Sequence, residues 1–88
     1  MNVGVFYQVM DIFDSLYRLH RIHQLILQEA TGTPDEFASR FQLHKRQIFN
    51  LLDKLRQQGA IIEYNSSKCT YYYVEDFEFN LKIGTNKK

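Results

Sequence analysis

Apolar residues recur at spacings of three and four along the first third of the chain. Residues 11–30, "DIFDSLYRLHRIHQLILQEA", show this spacing, and a helix places such residues on one face. The positions involved are Ile12, Leu16, Leu19, Ile22 or His23, and Ile26. The pattern predicts a helix that "ATGT" ends, because Gly32 can adopt the left-handed conformation that closes a helix.

A second, shorter helix is predicted from "TPDEFASRF". Thr33 is a favourable N-cap, Pro34 suits the first helical position, and Glu36 completes a capping box with Thr33. Phe37, Ala38 and Phe41 lie on one side of this helix. Leu43 breaks their phase, so the helix is expected to end before it.

A third helix is predicted to begin near His44 or Lys45, after the three-residue turn "QLH". Its apolar stripe consists of Ile48, Leu51, Leu52 and Leu55. Gly59 is expected to end it. Small Ala38 would let the second and third helices cross closely, which is typical of a helix-turn-helix.

The pattern changes after Gly59. "AIIEY" and "TYYYV" are rich in β-branched and aromatic residues, and "NSSKC" between them supplies turn residues. Residues 60–74 therefore predict a β-hairpin. In "FEFNLKI", residues 77–83, apolar positions alternate, which is compatible with a third strand.

Length and composition predict one domain that spans residues 1–88, since 88 residues with 44% hydrophobic side chains supply a single core. The predicted helices and hairpin make its fold class α+β. Its core is expected within 11–74. The flanks 1–10 and 75–83 are expected to be strands or dimer contacts, and 84–88 a polar tail. One cysteine excludes an internal disulfide. With no basic leader and no apolar run of membrane-spanning length, the expectation is a soluble, cytoplasmic protein.

Charge is distributed unevenly, although the net charge is only +1. Residues 40–58 contain five basic side chains and one acidic one, a balance of +4, whereas residues 63–78 contain one basic and four acidic side chains, a balance of −3. This asymmetry predicts a positive side on the molecule, suited to a polyanion, or else ordinary solvated faces.

Together these elements resemble the winged helix-turn-helix domains of the biotin-repressor-like and deoxyribose-operon-repressor-like groups. The likeness runs over residues 21–73, with its hallmarks in "TPDEFA", in the phase of Phe37, Ala38, Leu43, Ile48 and Leu51, and in the glycine before "IIEY". It implies three helices followed by a C-terminal β-hairpin wing, and a small transcriptional regulator that binds double-stranded DNA.

Two positions depart from that family. Gln42 stands where the family usually has a glycine in the turn, so it must accept a left-handed backbone or an altered turn. His44 stands where a serine or threonine usually caps the recognition helix.

The resemblance implies that the third helix enters the major groove and reads base edges with its outward residues. The candidates for base contacts are Arg46, Gln47, Phe49 and Asn50. The candidates for phosphate contacts are Arg40, His44, Lys45, Lys54 and Lys68. Lys68, the one cation at the tip of the hairpin, fits an ordinary turn equally well.

Other chemistry-bearing residues have simpler explanations. His20 and His23 are three apart on a helix, but no further ligands of known spacing accompany them, so no metal or cofactor is predicted. Cys69 has only Lys68 as a positive neighbour, and the pair Asp11 and Asp14 lacks a histidine partner, so no enzyme is predicted.

The apolar flanks predict a further partner. "NVGVFYQVM" and "FEFNLKI" are more apolar than surface loops should be, and one of them is expected to be buried against a second copy. A homodimer would also supply the second DNA half-site. The alternative function is a winged-helix protein-interaction module without DNA binding, because fold does not determine function.

Overall fold

The computed structural model describes the backbone of residues 3–78 and the side chains of residues 9–78. Within that range the chain is an α+β protein in which three helices precede a two-stranded antiparallel hairpin. In chain order the elements are α1 (Val3–Leu27), α2 (Pro34–Arg40), α3 (Lys45–Gln57), β1 (Ile62–Asn65) and β2 (Thr70–Tyr73).

Helix α1 differs from its prediction at both ends. It starts at Val3, so residues 3–10 are helical and the strand considered for that flank is excluded. It is closed by Glu29 rather than Gly32: Glu29 has φ 53°, and the Ala30 N–H donates to the Leu25 carbonyl at 2.9 Å. This left-handed closure places a non-glycine residue where a glycine is usual. Gly32 also has a positive φ, but it lies in the following loop.

Helix α2 begins as predicted. The Glu36 N–H donates to the Thr33 hydroxyl at 3.2 Å, and the Thr33 N–H donates to the Glu36 carboxylate at 2.9 Å, completing the capping box. At its end Gln42 adopts φ 56°, and the Leu43 N–H donates to the Ala38 carbonyl at 2.9 Å. Of the two alternatives that the sequence left open for Gln42, a left-handed backbone or an altered turn, the structure has the left-handed backbone.

Helix α3 is closed by the predicted glycine, two residues after its last helical residue, and is followed by the predicted hairpin. Gly59 has φ 110°, and the Ala60 N–H returns to the Leu55 carbonyl at 3.1 Å. The strands pair antiparallel from Ile62 opposite Tyr73 to Asn65 opposite Thr70. Residues 77 and 78 are not in a strand, and the rest of the proposed third strand and the tail lie outside the described residues.

The core joins one face of each helix to the inner side of the hairpin. Phe37 is fully buried, with its ring centroid 5.8 Å from Tyr71 and 5.9 Å from Phe41. The other buried apolar residues are Ile22, Leu25, Ile26, Ala38, Ile48, Leu52, Leu55, Ala60 and Ile62. Although α1 has 25 residues, no helix in the described part of the chain is long and apolar enough to cross a membrane.

Two buried threonines fasten the hairpin to the loop between α1 and α2. The Thr31 N–H donates to the Thr70 hydroxyl at 3.1 Å, and the Tyr71 N–H donates to the Thr31 hydroxyl at 2.9 Å. Both threonines are at most 1% exposed. The hydroxyls satisfy backbone N–H groups that would otherwise be buried without partners.

A buried histidine links α1 to β2. The Nδ1 atom of His23 lies 2.6 Å from the Tyr73 hydroxyl, and Phe77 packs edge-on against the imidazole ring. Burial is the main cause that lowers the pKa of His23; neighbouring His20 lowers it further and Glu78 opposes the shift. Burial also raises the pKa of the Tyr73 hydroxyl. Both shifts favour a neutral imidazole that accepts a hydrogen bond from the protonated phenol.

This arrangement predicts a loss of stability in mild acid. Because the His23 pKa is lower in the folded chain than the ordinary 6.5, the unfolded chain binds more protons as pH falls below that value. The melting temperature should therefore fall between about pH 7.5 and 5.5. Thermal unfolding of His23→Gln should show less of this dependence, whereas His44→Gln, a change at an exposed histidine, should keep it. An equally steep decline in His23→Gln would contradict the assignment.

Candidate nucleic-acid interface

Helix α3 has one buried and one exposed face. Ile48, Leu52 and Leu55 are at most 1% exposed, and Leu51 is half-buried beside them. At about 100° per residue, Arg46 and Asn50 project from the opposite side of the helix. Both are exposed, as are Gln47 and Lys54. The packing of the aliphatic stripe thus orients a polar and cationic face outward.

The exposed cations of α3 differ in what they contact. Among residues 9–78, no hydrogen bond or ion pair engages the side chain of Arg46 or Lys54. Lys45 pairs with Asp35 of α2, with 3.4 Å between Nζ and Oδ1. Both side chains of that pair are more than half exposed, so it contributes little to stability and a stronger anion can replace Asp35.

Two further cations in the positive segment are engaged in the fold. Arg56 donates to Asp53 at 3.0 Å and to the Ile62 carbonyl at 3.0 Å, which ties the end of α3 to β1. Arg40 donates to the Ala30 carbonyl at 3.3 Å. Contacts within the fold therefore occupy part of the charge that the sequence places between residues 40 and 58.

The N-terminus of α3 is capped by a side chain of the helix itself. His44 is the N-cap residue, and its backbone N–H donates to the Gln47 side-chain oxygen at 2.8 Å. The Gln47 amide group keeps its NH₂ donors, while its oxygen is used in capping. Asn50 makes no such contact within the described residues.

Two shallow grooves adjoin this face, and Arg18 of α1 lines both. One has a volume of about 180 Å³ and is lined by Arg18, Leu43, Gln47, Asn50 and Leu51. The other has a volume of about 340 Å³ and is lined by Asp14, Tyr17, Arg18, Arg21, Arg40 and Phe41. The structure therefore brings the amides of α3, the predicted Arg40 and two arginines of α1 to one continuous region.

The remaining predicted contacts lie at its margins. Phe49 is 42% exposed on α3. Lys68 pairs with Glu29 at 3.8 Å, so its ammonium lies beside the end of α1. Neither groove includes Lys68.

Arg18 and Arg21 are residues of this region that sequence reasoning missed. Their spacing of three on a predicted helix was visible in "YRLHR". Periodicity does not reveal which side of α1 borders α2 and α3, so the sequence did not connect them with Arg40 or Asn50.

Comparison of the chain with protein-family models, curated proteins and solved structures finds no significant match.

Proposed function

We propose that this chain is a winged helix-turn-helix domain that binds double-stranded DNA, with α3 as the recognition helix in the major groove. The observation that carries the proposal is the outward face of α3, where Arg46 and Asn50 are exposed opposite the buried stripe of Ile48, Leu52 and Leu55. An α-helix fits the major groove, and residues near its N-terminus reach base edges.

The base contacts follow from donor and acceptor chemistry. Arg46 presents paired N–H donors that match O6 and N7 of guanine. Recognition of adenine requires an amide oxygen and an amide NH₂ together. Asn50 has both, while the Gln47 oxygen accepts from His44, so Asn50 is the better adenine reader. Phe49 offers an apolar contact to a thymine methyl group.

Phosphate contacts come from cations around this face. Lys45 and Lys54 lie on α3, with His44 at its N-terminus and Arg40 at the end of α2. Lys68 reaches phosphate by leaving Glu29, a pair 3.8 Å apart. The structure adds Arg18 as a candidate, because it lines both grooves beside α3. Such contacts fix the register of the protein without reading sequence.

The proposal is tested by the salt dependence of binding to a random-sequence duplex. Each phosphate contact contributes about −0.9 to the slope of log affinity against log salt, so roughly four of these six candidates in contact at once give roughly −3.6. Fluorescence anisotropy with labelled duplex between about 50 and 200 mM salt measures that slope. A flat slope, or no binding at the lower salt concentration, would overturn the proposal.

The same titration tests Arg18, the candidate phosphate contact that the structure adds to those predicted from the sequence. Arg18→Gln should make the slope shallower by about one, as expected for a lost phosphate contact. Lys68→Gln removes the same charge at a candidate that lies outside both grooves and whose ammonium pairs with Glu29, so it should change the slope less. A larger effect of Lys68→Gln would move the phosphate contacts from the α1 groove to the hairpin.

The alternative, a winged-helix protein-interaction module, is supported by the acidic side of the chain. Glu75, Asp76 and Glu78 are exposed after β2, next to Val74, which is 45% exposed. An acidic, partly apolar segment repels DNA and suits a basic protein partner. A protein-interaction module would show no steep salt dependence with the duplex, so the titration distinguishes the two functions.

A further inference from the structure

Three arginines share the larger groove, between α1 and the end of α2, and no carboxylate of the described residues pairs with any of them. The groove has a volume of about 340 Å³. That volume lies at the lower end of the range for small-molecule sites, which is about 300–1,000 Å³, so the groove suits a ligand of nucleotide size. Its lining consists of Asp14, Tyr17, Arg18, Arg21, Arg40 and Phe41.

Both walls of this groove combine cationic and aromatic side chains. The residues from α1 are three and four positions apart, so they lie within an arc of about 100° on one face of the helix. These residues are Asp14, Tyr17, Arg18 and Arg21. The other wall comes from the end of α2, where Arg40 is the last helical residue and Phe41 is the C-cap.

The guanidinium groups have N–H donors that the fold does not use. Arg18 is half-buried, and within residues 9–78 its side chain makes no hydrogen bond or ion pair. Arg21 donates to the Gln24 side-chain oxygen at 3.4 Å, and Arg40 donates to the Ala30 carbonyl at 3.3 Å. These are long bonds to neutral acceptors, and each guanidinium has five N–H donors. An anion in the groove would therefore gain charge-assisted hydrogen bonds without breaking an ion pair.

The charge of the groove matches a phosphate monoester better than a phosphate of the duplex backbone. Three arginines and Asp14 give the lining a net charge of +2. A phosphate monoester carries about −1.5 to −2 at pH 7, whereas each backbone phosphate of DNA carries about −1. A monoester would neutralise the groove, and the planar guanidinium groups can bind its oxygens in pairs.

We infer that the groove binds a nucleoside monophosphate, with its phosphate on the arginines and its base against an aromatic side chain. Tyr17 is 66% exposed and Phe41 is half-buried, and aromatic side chains stack on any of the bases. The Asp14 carboxylate can accept hydrogen bonds from the ribose hydroxyls, as acidic residues do in dinucleotide sites. Phosphate alone would leave the aromatic residues and Asp14 without a role.

Nucleotide binding is a property of the groove and does not depend on DNA binding. Arg21, Tyr17 and Asp14 are not among the proposed DNA contacts, whereas Arg18 and Arg40 belong to both sites. A bound nucleotide would therefore occupy two of the proposed phosphate contacts and weaken binding to the duplex. That consequence alone rests on the proposed function.

A chemical-shift titration of the isotope-labelled full chain with adenosine monophosphate tests the site, without DNA and at about 0.15 M salt, where diffuse charge attraction is screened. We expect saturation with a dissociation constant on the order of 0.1 mM. Adenosine should not bind measurably, and inorganic phosphate should bind about fivefold more weakly or less. No binding of the nucleotide at about 1 mM would overturn the site, and equal affinity for inorganic phosphate would overturn the nucleoside contacts.

Two variants and a matched control locate the ligand. Arg21→Gln should weaken nucleotide binding by about tenfold or more, because charge-assisted bonds to the phosphate are lost. Arg46→Gln removes the same charge from an exposed arginine outside the groove and should change the nucleotide affinity by less than about twofold. Tyr17→Ser should weaken nucleotide binding by about fivefold or more and leave inorganic phosphate binding nearly unchanged.

The spectrum of each variant shows whether it stays folded. Equal losses in Arg21→Gln and Arg46→Gln would mean diffuse attraction and would overturn the groove as the site. A nucleotide affinity that is insensitive to Tyr17→Ser would overturn the stacking of the base on that ring. Since no duplex is present, these results are independent of whether the chain binds DNA.

Discussion

Replacing Lys45 and Arg46 together by alanine is expected to weaken binding to duplex DNA by roughly 100-fold, because loss of the bidentate Arg46 contact costs about 1–3 kcal/mol and loss of the Lys45 phosphate contact adds to it. Arg46 projects from the centre of the exposed face, and no contact within the described residues competes for it. Lys45 must leave only an exposed ion pair with Asp35. Fluorescence anisotropy at fixed salt measures the loss, and the thermal transition should stay nearly unchanged since neither side chain is buried.

Arg56→Ala is the matched control for this loss. It removes one positive charge from the same helix, but the Arg56 guanidinium is already bonded to Asp53 and to the Ile62 carbonyl. It should therefore lower stability more than DNA affinity. Unchanged DNA binding by the double variant would show that the start of α3 does not contact the duplex.

Local signals in the sequence were sufficient to predict a helix end whose backbone N–H groups bond to side chains close by in the chain. The capping box of Thr33 and Glu36 determines the start of α2 from four consecutive residues, and the structure confirms both of its hydrogen bonds. The buried stripe of α3 was likewise predictable, because a spacing of three and four is enough to define one helix face. Of the four residues in this stripe only Leu51, which lies at the edge of the stripe, is half-buried.

The ends of α1 were not predictable in the same way. Gly32 was the obvious residue to close the helix, yet Glu29 closes it, since Ala30 and Thr31 must turn early for the Thr31 side chain to meet Thr70. That contact joins residues 39 positions apart, and no local pattern encodes it. The apolar residues at the N-terminus were noticed, but their helical arrangement was not predicted.

The candidate site was predictable as a helix face but not as a surface. The outward positions of α3 follow from its stripe alone. Other contacts depend on how the helices cross and where the hairpin turns. These are the ion pair of Lys45 with Asp35, the bond from Arg56 to the Ile62 carbonyl, the groove shared by Arg18 and Asn50, and the position of Lys68 beside Glu29. The charge balance of a segment therefore overstates the charge that remains accessible once the chain has folded.

Phe37→Ala is expected to lower the free energy of unfolding most, because it removes the side chain that packs between α2 and the hairpin. Phe37 is fully buried against Tyr71, and truncation of a buried phenylalanine costs about 3–5 kcal/mol. A loss of that size is a large part of the stability of a small domain. Urea denaturation followed by circular dichroism should show a strongly lowered midpoint, or no folded baseline.

Phe41→Ala provides the comparison within the same helix. The two rings pack edge to face 5.9 Å apart, but Phe41 is only half-buried at the end of α2, so its truncation leaves less of a cavity. The midpoint should fall clearly less than for Phe37→Ala. Equal destabilisation by the two substitutions would mean that the core is not centred on Phe37.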